Sequence, residues 1–271
     1  MRLLDKLRLS YANKVNKPTV LFLDKPDWKR WIQRKIRKHS PFFYHFTHEI
    51  NPNNFDLVVP LTLAAQRHIN ENPNWINPKK VLSPSNECID LCDDKLIFHK
   101  FLNESGYADM APKFNQSFDY PYVIKKRIGA WGNGVFIIRN SQDELAHQKE
   151  LESEDYFREE FIPGQEEYAA HIIMVNGKAV FLKTLEYRFK EQYFVKGPLF
   201  KPATREVDHS HFLPIFEEIL AKINYQGISC FNYKLVHGSL CIYEINPRYG
   251  GSLSRFITDA LIAYRKAVQQ V

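Results

Sequence analysis

The sequence predicts an α/β protein built from small α+β subdomains, and three observations lead there. In the first 85 residues, short apolar runs such as "TVLFL" and "FDLVVPL" alternate with stretches of helical character. Further on, strand-like segments are punctuated by glycine, proline and the turns "NGK" and "HGS". At 271 residues, 44% hydrophobic and 25% charged, the chain is long enough for two or three subdomains and too apolar for disorder.

The N-terminal unit holds "TVLFL" at 19–23, the basic stretch "WKRWIQRKIRKH", the aromatic run "FFYHF", "FDLVVPL" at 55–61 and the helical "TLAAQRHINEN". This alternation suggests a small doubly wound α/β unit. Its βα turns lack G-x-G-x-x-G, so no dinucleotide is assigned to it. Residues 1–40 carry +9 within a net charge of +6, leaving the remainder slightly acidic. The basic stretch reads as an amphipathic helix burying Trp28, Trp31, Ile32 and Ile36 with its charges solvated. A nucleic-acid or anionic-membrane patch is the competing reading, but no nucleic-acid module accompanies it, and no nucleic-acid partner is expected. A basic rim for an anionic substrate stays open.

From Cys88 to Gly106, "CIDLCDDKLIFHKFLNESG" has helical periodicity and a glycine stop, and Ala111-Pro112-Lys113 marks a linker. Next come a strand "YPYVIKK", a loop "RIGAWGNG" and a strand "VFIIRN", whose Asn140 and Ser141 can cap the helix "QDELAHQKEL". The strand "YFREEFI" stops at Pro163-Gly164. Strands "EEYAAHIIMV" and "AVFLKTLEYRF", a helix at 212–225, the hairpin "ISCFNYKLV" and "LCIYEIN", and a last helix at 253–270 complete the order. The four cysteines form no disulfide framework, and Cys88 and Cys92 have no second pair at zinc spacing, so free buried thiols are expected. No apolar run approaches the ~20 residues that span a bilayer, and charges interrupt the N-terminus, so a cytoplasmic protein without signal peptide or membrane span is expected.

Two stretches carry chemistry. In "VIKKRIGAWGNGVFII", Lys125 and Lys126 end an apolar strand, and Gly129, Gly132 and Gly134 follow in the turn. Glycines let backbone N–H groups approach an anion and the lysine adds a point charge, so the loop suits a lid over nucleotide phosphates. A plain hairpin loop has the same residues. It is not a Walker loop, since no G-K-[ST] follows.

The second is "LCIYEINPRYGG" at 240–251. A three-residue turn "HGS" would pair Val236 with Leu240 and set Asn232 opposite Glu244. Asn232, Lys234, Glu244 and Asn246 then share one face, and Phe231, Tyr233 and Leu235 meet Cys241, Tyr243 and Ile245 on the buried one. One carboxylate and two amide oxygens are hard ligands suited to Mg²⁺, or Mn²⁺ in its place. A half-exposed hairpin whose polar residues meet water is the alternative.

Together these parts resemble the ATP-grasp superfamily, in particular its biotin carboxylase and carbamoyl phosphate synthetase large-subunit branch, over roughly residues 85–256. The resemblance implies two α+β subdomains gripping ATP behind a small Rossmann-like unit, divided at 1–88, 89–164 and 165–271. "DDKLIFHKFLNESG" is similar to the first nucleotide-binding helix, which implies that Lys95 reaches the phosphates; the glycine loop, with Gly132 and Gly134, implies a second phosphate lysine in Lys125. "REEFIPGQEE" resembles the adenine hinge, implying backbone contacts from Glu160 and Ile162, with Glu159 nearby and Glu167 on the ribose. "YEINPRYGG" is similar to E-[IV]-N-P-R, implying Mg²⁺ on Glu244 and Asn246 and the transferred phosphoryl group on Arg248. Lys183 is a further, weaker phosphate candidate.

Three departures stand out. Asn232 replaces the usual acidic or glutamine ligand, Arg127 and Trp131 enlarge the glycine loop, and the chain ends one helix after Arg248, which argues against biotin carboxylation. The resemblance implies a stand-alone ligase that joins a small carboxylate and an amine through an acyl phosphate, catalysed by Arg248 and Lys125. The alternatives are a kinase of an anionic small molecule and a non-catalytic ATP-binding protein. A homodimer is compatible with all three.

Overall fold

The structure is a computed structural model and describes residues 12, 16–35, 40–46, 51–129, 132–195, 197 and 202–271. The first sheet is parallel, with β1 (Thr19–Leu23) between β2 (Phe43–Phe46) and β3 (Leu57–Pro60). Side chains of a strand alternate between faces. Val20 and Phe22 accordingly enter one core with Trp28, Ile32, Leu57 and Val59, whereas Leu21 and Leu23 enter another with Phe55, Val58 and Ala65. Helices α1 (Lys29–Lys35) and α2 (Leu63–Glu71) flank it, and the Thr62 hydroxyl caps α2 by accepting from the Ala65 N–H. Both faces of this sheet are therefore covered, as a doubly wound unit requires. On the basic helix, Trp28 and Ile32 are buried but Trp31 is 36% exposed, which corrects the expected core stripe; Ile36 lies outside the described residues.

The stretch expected as one helix over 88–106 is two. Helices α3 (Asn86–Asp93) and α4 (Lys95–Glu104) meet at Asp94, whose backbone is extended and whose carboxylate accepts from the N–H groups of Leu96 and Ile97. An aspartate with two backbone donors in reach is an N-cap, and it outweighs continuation of the first helix. The apolar periodicity hid the break, because Cys88 and Cys92 before it and Phe98 and Leu102 after it enter the same core. The second sheet is antiparallel, in the order β5 (Val135–Ile138), β4 (Tyr122–Lys126), β6 (Tyr156–Glu160). Short helices α5 (Ser141–Ala146), capped by Asn140, and α6 (Gln148–Leu151) connect β5 to β6. Its core is small: Tyr122, Ile124 and Ile138.

The third sheet is antiparallel and five-stranded, with β11 (Ser239–Asn246) and β10 (Gly227–Val236) beside β7 (Glu166–Val175), β8 (Lys178–Arg188) and the edge strand β9 (Ala203–Val207). Strand β9 was not expected, since "ATREV" carries little apolar signal and lies largely exposed. One face buries Ala170, Ile172, Met174, Phe231 and Tyr233 against α7 (Leu213–Lys222), α3 and α4. Phe216 and Phe231 lie 4.7 Å apart there, and each such buried aromatic stabilises the fold by about 1.5–3 kcal/mol. The opposite face contributes Ile173, Val175 and Ile228 to a core shared with the first sheet and α8 (Ile257–Val268). Tyr264 of α8 stitches these together: its hydroxyl accepts from the Leu82 N–H at 2.6 Å and donates to the Val58 carbonyl at 3.0 Å.

The β10–β11 hairpin departs from expectation twice. Its turn has two residues, His237 and Gly238, both with positive φ, so Val236 pairs with Ser239 and not with Leu240. A bulge then leaves Tyr243 as an extra residue, with Tyr233 opposite Ile242 and Asn232 opposite Glu244. Asn232 and Glu244 thus face each other as expected, but the buried partners of Phe231, Tyr233 and Leu235 are Ile245, Ile242 and Leu240, not Cys241 and Tyr243. Among the described residues, no helix is long and apolar enough to cross a membrane.

Candidate active site

A cavity of about 590 Å³ opens between the second and third sheets and reaches the N-terminal unit. Strand register gives it an axis. The cavity side of β10 presents Lys234, Asn232 and Cys230, opposite Cys241, Glu244 and Asn246 of β11, with Ala169 and His171 of β7 beside Asn232 and Cys230. At about 3.4 Å per residue, Lys234 and Cys230 stand about 14 Å apart, so the two ends can hold different parts of an elongated ligand.

At the Lys234 end lies the segment after β6. The Lys234 ammonium donates to the carbonyls of Ile162 at 2.8 Å and Gly164 at 3.1 Å and sits 4.7 Å from the Phe194 ring centre. Burial pushes its pKa down. Lys234 keeps the face expected of it beside Asn232, and in the structure it ties down the hinge. The Glu160 N–H donates to the Lys113 carbonyl, and its carboxylate accepts from the Lys113 N–H at 3.1 Å. Glu167 is buried and lines the cavity with Tyr243, whose phenol is pushed well up by burial and then by the Glu167 charge.

In the middle stand the two lysines. The break at Asp94 puts Lys95 on the first residue of α4, where its Nζ donates to the Gly129 carbonyl at 2.8 Å and lies 3.7 Å from Glu244 Oε2. Arg127 turns away from the loop onto Asp94, with Nη2 and Oδ2 2.6 Å apart. Burial opposes the Asp94 charge, but Arg127 and the α4 N–H groups prevail and hold its carboxyl below the usual range. Trp131 lies outside the described residues. Gly132 and Gly134 adopt φ of +73° and +74°, and a Cβ on Gly134 would come within 2.7 Å of Lys126 Cβ, so this turn is closed to larger residues. Gly132 lines the cavity, whereas Gly134 backs onto Lys126.

Lys125 donates to both carboxylate oxygens of Glu159, at 2.8 and 2.9 Å, and lies 4.9 Å from the Tyr243 ring centre. His99 Nε2 is 2.9 Å from the same carboxylate. Burial would raise the Glu159 pKa, yet Lys125 and His99 hold it below the ordinary value. Glu159 is thus the fixed partner of Lys125 rather than a free hinge group. His99, which no sequence motif singled out, is fully buried behind it.

Beyond them, Glu244 Oε1 accepts from Asn246 Nδ2 at 2.6 Å and Asn232 Nδ2 at 3.1 Å, and Arg248 Nη2 donates to Asn246 Oδ1 at 3.3 Å. The two amides converge on one carboxylate oxygen. A half-turn of each amide presents its oxygen to the same point, so the donor set fits a hard divalent cation completed by phosphate and water. With a single carboxylate it is a weakly charged set, and among the described residues no cluster of three His, Cys, Asp or Glu offers another. Asp93 belongs to this electrostatic neighbourhood: burial raises its pKa, Lys95 and Arg248 lower it, and Glu244 raises it.

At the Cys230 end, Gly250, Gly251 and Ser252 follow Arg248 along the cavity wall. His171 is buried beneath them with Nε2 2.8 Å from Ser252 Oγ, and a Cβ on Gly250 would fall 2.6 Å from its ring. Trp28 and Trp31 also line this end; Trp28 packs in the first core as expected, and Trp31 does not. Lys183 does not join the site. It sits opposite His171 but pairs with Glu206 and covers the Phe256 ring at 5.4 Å, so its ammonium is engaged outside the cavity.

Residues 95–252 match the ATP-grasp domain family, more than half of the chain. None of the curated proteins matches the sequence. Solved structures with the same fold include D-alanine–D-alanine ligase from Bacillus anthracis complexed with ATP, at 12% identity and TM-score 0.59, covering 94% of this chain and 97% of that one. L-amino acid ligase from Bacillus licheniformis gives 16% and 0.59, with 93% and 74% covered. N5-carboxyaminoimidazole synthetase from Staphylococcus aureus complexed with ADP gives 14% and 0.60, with 87% and 71% covered. With the family match spanning the two lysines, the hinge and the Glu244 hairpin, the chain belongs to the ATP-grasp family.

Proposed function

We propose that this protein is an ATP-dependent carboxylate–amine ligase acting through an acyl phosphate and releasing ADP and phosphate. The observation that carries the reading is the convergence of Lys95, Lys125, Glu244, Asn246 and Arg248 on one cavity whose far end is lined by the hinge residues Glu160, Phe161 and Ile162. The spans 1–88, 89–164 and 165–271 serve as its three units, each holding one sheet. The site hairpin supports placement in the carbamoyl phosphate synthetase-like branch, and four free, buried cysteines suit a cytoplasmic enzyme.

In this reading, adenine meets the backbone of Glu160 and Ile162, and Glu167 receives the ribose. Lys95 and Lys125 hold the phosphates under the loop of Gly132 and Gly134. Glu244, Asn246 and Asn232 would hold Mg²⁺ or Mn²⁺, which when bound neutralises phosphoryl oxygens. Arg248 orients the substrate carboxylate, whose oxygen attacks the γ-phosphorus as the bond to ADP breaks. The amine then attacks the acyl carbon, the phosphate leaves with the bonding pair, and the amine gives up a proton. Arg248 stabilises the oxyanion formed on the way. The test is ADP release over pools of amino acids and small carboxylates, with hydroxylamine to trap the acyl phosphate. Formation of a hydroxamate supports the reading; ADP release with a stable phosphorylated acceptor and no hydroxamate would replace it with a kinase.

A further inference from the structure

The Cys230 end of the cavity is where an acceptor lies if ATP occupies the hinge end, and its walls differ in kind from the rest. Arg248 and Ser252 supply polar groups on one side, and Ser252 is held in place by the buried His171. Facing them, the N-terminal unit contributes Trp28 and Trp31, packed edge to face with ring centres 5.4 Å apart. Their outer ring carbons each lie 3.5 Å from where a Cβ on Gly251 would stand. Trp28 is fixed by Tyr249 at 6.2 Å and by the Lys25 ammonium 4.8 Å from its ring centre. Trp31 has no aromatic neighbour besides Trp28 among the described residues and keeps 36% of its surface exposed. A helix that could have turned this large ring into the core instead spends it on a cavity wall, beside a glycine that leaves room in front of it.

We infer that Trp28 and Trp31 form the side-chain subsite of the acceptor carboxylate, so that the substrate acid carries a bulky apolar group, best an aromatic one, with its carboxylate toward Arg248. The inference rests on the ligase reading for which end takes the acceptor. Aromatic pairs gain attraction beyond buried area, and a guanidinium recognises a carboxylate by charge-assisted hydrogen bonds, so the two halves select an amphiphilic acid. Hydrophobic pockets discriminate by about tenfold or more for each missing methylene-sized group. Small acids such as glycine or propanoate would leave the tryptophan wall unfilled.

The experiment is calorimetric titration of the full chain, loaded with Mg²⁺ and a non-hydrolysable ATP analogue, with 3-phenylpropanoate and with propanoate. The expected result is binding of 3-phenylpropanoate at least about tenfold tighter than propanoate. Trp31→Ala should collapse that ratio toward one, and Trp31→Phe should retain most of it; binding of the nucleotide analogue by each variant serves as the folding control. Equal affinities in the unaltered protein, absence of binding by either acid, or an unchanged ratio in Trp31→Ala would overturn the subsite. The ligase reading fails separately: if 3-phenylpropanoate binds with the expected ratio but no acid and amine together release ADP, the subsite stands and the reaction does not.

Discussion

The second and third sheets each bring one charged group to the cavity, Lys125 and Glu244, but hold it by opposite means. Glu244 stands on a strand whose neighbours Ile242 and Ile245 enter an extensive core with Phe216, Phe231 and Tyr233. Lys125 stands on a sheet whose own core cluster is only Tyr122, Ile124 and Ile138, and its position is fixed by the buried contacts among Lys125, Glu159 and His99. The lesson is that a small unit without enough apolar surface can still place a charge accurately, provided the charge has a buried partner. The cost is sensitivity, because removing one member of a buried pair leaves the other uncompensated.

Glu159→Gln should therefore have the largest effect, about 3–5 kcal/mol lost from the stability of the second sheet, read by denaturant unfolding and hydrogen exchange. Because the Glu159 carboxyl is held below its ordinary pKa, its contribution is present above the usual carboxylate range and is lost as pH falls through the lowered value. The gap between wild type and Glu159→Gln should consequently shrink in acid, and a pH-independent gap would contradict the ion-pair account. Glu244→Ala should leave unfolding nearly unchanged while reducing ATP turnover by about 10²- to 10³-fold. Unaltered turnover would remove Glu244 from the phosphate and metal machinery. Tyr264→Phe tests the apolar side of the comparison: losing the hydroxyl that serves both Leu82 and Val58 should cost about 1–3 kcal/mol without changing the affinity for MgATP. Smallest is Asn232→Asp, where a second carboxylate beside Glu244 should tighten Mg²⁺ by about tenfold in a direct binding titration. Equal or weaker Mg²⁺ binding would exclude this face as the cation site.

Much of this was legible in the chain because strand chemistry repeats every two residues: Asn232, Glu244 and Asn246 share a face, and the glycine loop joins β4 to β5. What escaped the pattern were single residues that override it. Asp94 breaks a periodic helix because its side chain competes for backbone donors, and apolar spacing carries no trace of that contest. Trp31 sits at a core position of the helical repeat but faces a cavity that exists only once the N-terminal unit meets Gly251. Glu159 and His99 lie far apart in sequence and become partners only through the packing of α4 against β6. The signal available for them was composition alone, a carboxylate, a lysine and a histidine on otherwise apolar elements.

The extra residue at Tyr243 makes strand β11 a matter of parity. Counting from the turn, Leu240 and Ile242 face the core on even steps, and in an unbulged strand of the same sequence Glu244 would be the next to do so. Deleting Tyr243 would restore regular alternation and leave Glu244 opposite Asn232, whereas keeping Tyr243 but straightening the bulge would turn the carboxylate inward and Ile245 into the cavity. The facing of the site carboxylate is therefore set by where the strand breaks its own alternation and not by the length of the hairpin.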